Sequence, residues 1–188
     1  MAAKLIGVLA LQGAFAEHIA ALKKCGAETF EVRTAEDLNK IDGLIIPGGE
    51  STTIGKLMNK YAMEEVIKAR VAEGMPLWGT CAGMILMAKE IVDSDQIKLG
   101  LMDIEVKRNA YGRQVDSFEA ELQLAGIGQI KGVFIRAPYV GRVWGEARVL
   151  SCHNEQIVMV QQRKMLATSF HPELTEDLDI HQYFLEMG

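Results

Sequence analysis

The residue best suited to chemistry is Cys81, in the segment Gly79-Thr80-Cys81-Ala82-Gly83. Residues 75–78 are short, apolar and include a proline, which predicts a buried strand, and residues 82–90 have the apolar periodicity of a helix. A cysteine at such a junction lies on a tight turn with its side chain exposed, and small residues two positions away on either side permit the crowding. The first-turn amides and the helix dipole would stabilise a thiolate there, so we predict a nucleophile. The pentapeptide alone leaves open the alternative of an inert, buried cysteine.

A thiolate that attacks a carbonyl needs a proton shuttle and a group that holds the shuttle. His171-Pro172-Glu173 follows a predicted apolar strand, and the proline biases His171 towards extended geometry. Side chains two residues apart in an extended chain project to one side, so Glu173 is predicted to orient the His171 imidazole. Taken alone, the tripeptide more often marks a surface loop with a titratable histidine.

A glycine-rich loop, Pro47-Gly48-Gly49-Glu50-Ser51-Thr52, follows another predicted strand. Two glycines let backbone N–H groups approach a ligand closely, so we predict an oxyanion loop with the N–H groups of Gly49 and Ala82 as donors. A phosphate-binding loop is the alternative, because Gly55-Lys56 comes soon after. That alternative fails on spacing, because the required first glycine and the magnesium-binding hydroxyl residue are missing.

Arg108 and Arg136 each follow a predicted strand, and a guanidinium presents a planar fork that suits a substrate carboxylate. Either arginine alone is more often solvated or paired at the surface. Ser51 offers further hydrogen bonds to a substrate. Structural or surface roles are predicted for the remaining histidines and cysteines, which are His18, His153, His181, Cys25 and Cys152.

The elements that must position these residues change character along the chain. Strands predicted at 4–11, 27–32, 43–46 and 75–78 alternate with helices at 14–25, 52–61, 63–73 and 82–90. Beyond residue 99 the pattern predicts short strands at 102–106, 118–122, 129–135, 147–151, 157–160 and 166–169, followed by a helix at 178–187. We therefore predict an α/β protein, a flavodoxin-like three-layer sandwich. Its mostly parallel central sheet is flanked by helices and gains antiparallel strands in the C-terminal half. The whole chain, 1–188, is predicted to form one domain.

The amino-acid composition and net charge of the chain disfavour several classes of function. The 188 residues are 49% hydrophobic and 24% charged, as in soluble globular proteins. A net charge of −5 without a basic cluster disfavours a nucleic-acid partner, and no apolar stretch approaches the length of a membrane span. The three cysteines lack metal-type spacing, which disfavours a zinc site or a disulfide framework and favours a cytoplasmic location. The apolar N-terminal run is interrupted by Gly7 and predicts a first strand better than a secretion signal.

Together these segments resemble the class I (triad) glutamine amidotransferases, and among them the glutaminase subunits of pyridoxal 5′-phosphate synthases. The resemblance covers almost the whole chain. It is carried by residues 9–15 with Glu17-His18, by 47–52 and 79–83, by 108–114 with 117–119, by 134–138 and by 171–175. The cysteine turn and the His-Pro-Glu tripeptide are shared by the superfamily, whereas the Gly-Gly-Glu-Ser-Thr loop and the Arg-Asn-Ala block are specific to these subunits.

The resemblance implies a triad of Cys81 as nucleophile with His171 and Glu173 as its relay. It also implies that glutamine is contacted by Gly49, Glu50, Ser51, Arg108, Ile135 and Arg136. L-Glutamine would be hydrolysed to glutamate and ammonia without a metal or an organic cofactor. Ammonia would pass directly to a separate, barrel-shaped synthase subunit, and Gln12 and Gly13 would lie where that subunit docks and activates the enzyme.

Three alternatives remain at this point. A glutaminase for imidazole glycerol phosphate synthesis is disfavoured, because a leucine would be expected after the cysteine where this chain has Ala82. A cysteine hydrolase of similar fold would be active without a partner. A nucleotide-binding module would bind nucleotide and would leave Cys81 unlabelled by a glutamine analogue.

Overall fold

The computed structural model describes residues 3–108 and 117–188. The strands are β1 Leu5–Leu9, β2 Glu28–Val32, β3 Gly43–Ile46, β4 Leu77–Thr80, β5 Ala88–Ile91, β6 Met102–Lys107, β7 Ser117–Leu124, β8 Gly128–Ile135, β9 Tyr139–Val143, β10 Arg148–His153, β11 Gln156–Gln162 and β12 Met165–Thr168. The α-helices are α1 Phe15–Lys24, α2 Ser51–Lys60, α3 Glu64–Ala72, α4 Ala82–Met87 and α5 Asp179–Glu186. Within the described ranges, no helix is long and apolar enough to cross a membrane.

One large mixed sheet organises the molecule. Strands β2, β1, β3, β4 and β12 lie side by side in that order and run parallel. The sheet continues through β11, β9 and β6, which pair antiparallel to their neighbours, and ends with β5 parallel to β6. Strand β10 pairs with β11, and β7 with β8 forms a separate antiparallel hairpin. The predicted fold class, a mostly parallel sheet with added antiparallel strands in the C-terminal half, is confirmed.

Successive side chains on each strand point to opposite faces of this sheet, and the buried core is therefore divided into two clusters, one on each face. On β4, Leu77 packs in one buried cluster and Trp78 in the other, as expected for side chains that point alternately up and down. Helices α2, α3 and α4 contribute to the cluster of Leu77, whereas α1 and α5 contribute to that of Trp78. Helices therefore cover both faces, which gives the predicted three layers.

The segment after the cysteine departs from prediction. Helix α4 ends at Met87 and the chain continues as β5, where the sequence pattern predicts helix to residue 90. The carbonyl oxygens of Leu86 and Met87 accept hydrogen bonds from the amides of Leu99 (2.7 Å) and Leu101 (2.9 Å). Tertiary partners thus replace the next helical turn, and the short strand pairs with β6 instead.

Strand β9 was not predicted. It follows Ala137-Pro138 and contains Gly141, so its sequence has the composition of a turn. It lies between β6 and β11, and this pairing joins β5 and β6 to the rest of the sheet.

Candidate active site

Cys81 lies between β4 and α4 with φ +51° and ψ −101°, a backbone geometry that L-residues rarely adopt. Its amide donates to the carbonyl oxygen of Thr168 at 2.8 Å, which ties the turn to the end of β12. Such a conformation costs about 1–3 kcal/mol and persists only where surrounding contacts enforce it. The turn matches the prediction, but the side chain is buried rather than exposed, at 7% accessibility.

Two glycines make this turn possible. A Cβ at Gly79 would lie 2.4 Å from the carbonyl carbon of Gly83, and a Cβ at Gly83 would lie 2.2 Å from the carbonyl oxygen of Ile46. Both distances are below any real Cβ contact, and each involves backbone atoms that cannot rotate away. The helix after the cysteine therefore packs closely on β3 and β4 because both positions lack a side chain.

His171 and Glu173 form a buried hydrogen-bonded pair. His171 Nδ1 lies 2.6 Å from Glu173 Oε1, and each residue is 7% exposed. The local geometry differs from the predicted extended tripeptide, because Pro172–Leu174 form a 3₁₀ turn. The amide of His171 donates to Val133 O at 2.8 Å, so strand β8 also holds the histidine in place.

Cys81 and His171, ninety residues apart in sequence, meet beside Gly48. A Cβ on Gly48 would lie 2.4 Å from His171 Cε1 and 3.4 Å from Cys81 Cβ. Because Glu173 engages Nδ1, Nε2 is the ring nitrogen that is left to exchange a proton with a neighbouring group. Gly48, Cys81 and His171 come shortly after the carboxyl ends of β3, β4 and β12, respectively, and these three strands are neighbours in the sheet.

The charges in this cluster favour a protonated imidazole. Burial lowers the pKa of His171, but the hydrogen bonds and negative charges of Cys81 and Glu173 outweigh it and raise that pKa to about 10. Burial raises the pKa of Glu173, whereas the facing His18 and the bonded His171 lower it, with a net decrease. At neutral pH the arrangement therefore holds His171 as an imidazolium beside the Glu173 carboxylate, ready to donate a proton.

Gln12 and Gly13, the predicted docking residues, and the adjacent Ala14 contact the glycine-rich loop. The carbonyl oxygen of Gly48 accepts from the amide of Ala14 at 2.9 Å, and the amide of Glu50 donates to Gln12 Oε1 at 2.8 Å. Gly13 has φ +104°, and a Cβ there would lie 2.0 Å from Gly48 O. Because the C=O and N–H of a trans peptide point in opposite directions, the bond to Ala14 also sets the direction of the Gly49 N–H.

The Glu50 side chain has a contact that sequence reasoning missed. Its carboxylate caps α2, accepting from the amides of Thr52 (3.3 Å) and Thr53 (2.8 Å). Hydrogen bonds from these two threonines lower the pKa of Glu50 to about 2. A glutamine contact from Glu50 stays a prediction.

Gln96 was also missed. Its Oε1 accepts hydrogen bonds from Arg108 Nη1 (2.7 Å) and Ser51 Oγ (3.2 Å), and so joins two predicted substrate-binding residues. Its Nε2 is buried and has no hydrogen-bond partner among the residues described. Gln96 lies between β5 and β6 in a segment without helical or strand periodicity, so no sequence signal could have found it.

The remaining predicted residues, Ile135 and Arg136, lie where β8 ends. The Ile135 carbonyl oxygen is 3.8 Å from Cys81 Sγ, and the exposed Arg136 follows with φ +45°. The part of the subunit-specific Arg-Asn-Ala block beyond Arg108 falls within 109–116, outside the described residues.

Comparison with known proteins identifies close relatives. A sequence model of the SNO glutamine amidotransferase family matches residues 8–188. The chain is 55% identical to "Pyridoxal 5′-phosphate synthase subunit PdxT" of Desulforamulus reducens, over 97% of this chain and 98% of the relative. It is 54% identical to the protein of that name in Carboxydothermus hydrogenoformans, over 96% of each.

Solved structures agree with the sequence comparison. A crystal structure described as that of a glutamine amidotransferase superposes with a TM-score of 0.94 at 53% identity, covering 97% of both chains. A chain of the PurLQS structure from Thermotoga maritima superposes with a TM-score of 0.74 at 17% identity, covering 99% of both chains. At that identity the second likeness concerns the fold alone.

Proposed function

Because the chain belongs to the SNO glutamine amidotransferase family, we propose that Cys81, His171 and Glu173 hydrolyse L-glutamine to glutamate and ammonia for pyridoxal 5′-phosphate synthesis. The observation that carries the proposal is the buried hydrogen bond between His171 and Glu173 next to Cys81, since the His171 ring and the Cys81 side chain both lie against Gly48. The name shared by relatives 52–55% identical over nearly their full length supports the biosynthetic assignment.

The geometry suggests each step of the reaction. The Cys81 thiolate attacks the side-chain amide carbon of glutamine, and the Gly49 and Ala82 N–H groups bind the oxyanion that forms. The His171 imidazolium donates its proton to the departing ammonia, which leaves a γ-glutamyl thioester on Cys81. His171, now neutral, takes a proton from water as the water attacks the thioester, and glutamate is released. Glu173 holds Nδ1 throughout, so the other nitrogen faces the reaction.

We also propose that the product ammonia is handed to a partner. The names of the relatives imply a synthase subunit, and in our proposal this subunit is barrel-shaped and accepts ammonia directly. Gln12 and Gly13 contact the glycine-rich loop through the Glu50 amide and Gly48 O, so docking on this segment would reach the oxyanion donors. Three free cysteines support the cytoplasm as the compartment.

The proposal is tested by locating covalent labelling and by measuring ammonia. With the synthase present, 6-diazo-5-oxo-norleucine should label Cys81, as shown by mass spectrometry of proteolytic peptides, and should stop ammonia release. Labelling at Cys25 or Cys152, or no labelling, would contradict the assignment. Equal activity with and without synthase would favour a partner-independent cysteine hydrolase, and nucleotide affinity without labelling would favour a binding module.

Gly48→Ala should lower kcat for glutamine about 10²-fold, because a misplacement of about 1 Å at reacting groups can cost that much. The added methyl would lie 2.4 Å from His171 Cε1, and Glu173 prevents the ring from moving freely. Gly141→Ala on β9 is the matched control, since its methyl would lie 3.4 Å from Glu105 Oε1, an ordinary contact. Steady-state kinetics of the complex with synthase measures both, and equal rates would show that Gly48 is not needed to seat the imidazole.

Gln96→Ala should raise KM for glutamine about 10-fold with kcat within about twofold, since hydrogen bonds to charged groups contribute about 1.5–3 kcal/mol. The substitution removes the carbonyl that holds Arg108 and Ser51 in place. Gln129→Ala, at an exposed position of β8, is the control and should leave KM unchanged. A drop in kcat at unchanged KM would show that Gln96 serves the reacting groups rather than substrate binding.

A further inference from the structure

Two fully buried histidines lie behind the proposed triad. His18 on α1 and His181 on α5 are both 0% exposed, and His18 Nδ1 lies 3.0 Å from His181 Nε2. Both rings pack against Trp78, with centroid distances of 5.3 Å and 4.8 Å. The sequence predicts structural or surface roles for these histidines, but the pair extends the line of hydrogen-bonding groups inward from the catalytic cluster.

The second nitrogen of His18 faces the triad. His18 Nε2 lies 3.1 Å from Thr80 Oγ1 and 3.5 Å from Glu173 Oε2. Glu173 Oε1 is engaged by His171, whereas Oε2 is buried without a hydrogen-bond partner among the described residues. Burying a carboxylate oxygen without a hydrogen-bond donor costs free energy. The protonation of the nitrogen that faces Oε2 therefore affects how stable the charged carboxylate is.

The hydrogen-bond pattern selects one tautomer. With the proton on Nε2, His18 points an N–H dipole towards Thr80 and Glu173, and its Nδ1 accepts from His181 Nε2–H. His181 Nδ1, which has no partner among the described residues, is then an unpaired acceptor. With the proton on Nδ1 instead, a His18 lone pair would face the Glu173 carboxylate, and His181 would bury an unpaired N–H. The first arrangement avoids both penalties.

The charge state agrees with this pattern. Burial lowers the pKa of His18 despite the facing Glu173 and the nearby Glu17, and His171 lowers it further. Burial likewise lowers the pKa of His181 to about 3, with His18 acting in the same direction and Glu173 against it. Both rings are therefore neutral at physiological pH, and a neutral imidazole has one N–H to direct.

We propose that His18 is a positioning residue for glutamine hydrolysis, which directs its Nε2–H at Glu173 Oε2 and is held in that tautomer by His181. The inference rests on the proposed triad. Glu173 is thereby contacted at both oxygens, by His171 at Oε1 and by His18 at Oε2, so its carboxylate has one orientation. A single orientation keeps the His171 ring aligned with Cys81 through both proton transfers.

The test compares two replacements of similar size in the complex with synthase. His18→Leu removes the N–H, whereas His18→Gln retains an amide N–H near the position of Nε2. His18→Leu should lower kcat about 10–10²-fold with KM within about twofold, and the acid limb of the kcat profile should move to higher pH, because Glu173 loses a group that stabilises its charged form. His18→Gln should recover kcat to within about threefold and restore the limb.

Rates are expressed per active site titrated with 6-diazo-5-oxo-norleucine, so that misfolded protein does not count. Wild-type kcat and an unmoved acid limb in His18→Leu, or no rescue by His18→Gln, would overturn the inference while leaving the triad intact. A wild-type complex without glutaminase activity would overturn the proposed function instead.

A measurement on the wild-type chain covers the case in which His18→Leu does not fold. Nitrogen NMR of histidine-labelled protein reports which ring nitrogen carries the proton. We expect a neutral His18 protonated at Nε2 and unprotonated at Nδ1. A His18 protonated at Nδ1 would place a lone pair against Glu173 and would refute the proposed role.

Discussion

Cys81→Ala should reduce ammonia release from glutamine by at least about 10⁴-fold, because loss of the nucleophile removes the covalent route and leaves only binding and the oxyanion donors. The structure indicates that the fold will tolerate the change. The cysteine side chain packs in a buried site, and its strained backbone is enforced by Gly79, Gly83 and the hydrogen bond to Thr168 rather than by sulfur. Ammonia production with the synthase present, together with the melting temperature, checks both expectations.

Matched controls are available within the chain. Cys152 is exposed on β10 and Cys25 is partly exposed after α1, so Cys152→Ala and Cys25→Ala should retain wild-type turnover. Cys81→Ser keeps a hydroxyl of similar size but a much weaker nucleophile, and it should be nearly as inactive as Cys81→Ala while still binding the synthase. Undiminished turnover in Cys81→Ala would defeat the proposed mechanism.

Glu173→Gln should lower kcat about 10²–10⁴-fold with little change in KM, because the group that orients and stabilises the imidazolium is lost. The carboxylate helps to raise the pKa of His171 to about 10, so its neutralisation should lower that pKa. The side chain of Glu173 is fully buried, and an amide of the same shape costs less to desolvate than a charge. We therefore expect the variant to fold, with a catalytic defect larger than any change in melting temperature.

The pairing of His171 with Glu173 predicts how the stability of the protein changes with pH. A histidine whose pKa is raised by folding adds stability that is fully present below its unfolded value of about 6.5, and this stability is lost as pH rises through about 10. The melting temperature of the wild type should therefore fall as the pH is raised between these two values. The fall should be smaller in Glu173→Gln.

Glu176→Gln is the control for the catalytic defect. It lies three residues further on in the same loop and pairs with Lys24 at the surface, where its side chain is 93% exposed. Exposed ion pairs contribute little, so turnover should be unaffected. A Glu173→Gln enzyme as fast as wild type would show that His171 works without a third group.

Local sequence determined the parts of the site whose chemistry follows from neighbouring residues. The strand, cysteine and helix around residue 81 need small residues at 79 and 83 wherever that turn occurs, so the pattern was sufficient to predict the turn. The His-Pro-Glu tripeptide predicted the contact between His171 and Glu173 for a similar reason, although the two side chains meet across a 3₁₀ turn rather than along an extended strand. The parallel half of the sheet followed from strand–helix alternation.

Tertiary structure decided what depends on residues distant in sequence. Helix α4 ends early because amides at 99 and 101 take its last carbonyls, and periodicity within the helix contains no trace of those partners. Gln96 joins Ser51 to Arg108 from an irregular segment, and His18 faces Glu173 across 155 positions. A lone histidine or glutamine has no local pattern that distinguishes a surface side chain from one in a buried network. The sheet must first bring α1, α5 and the ends of β4 and β12 together before that difference exists.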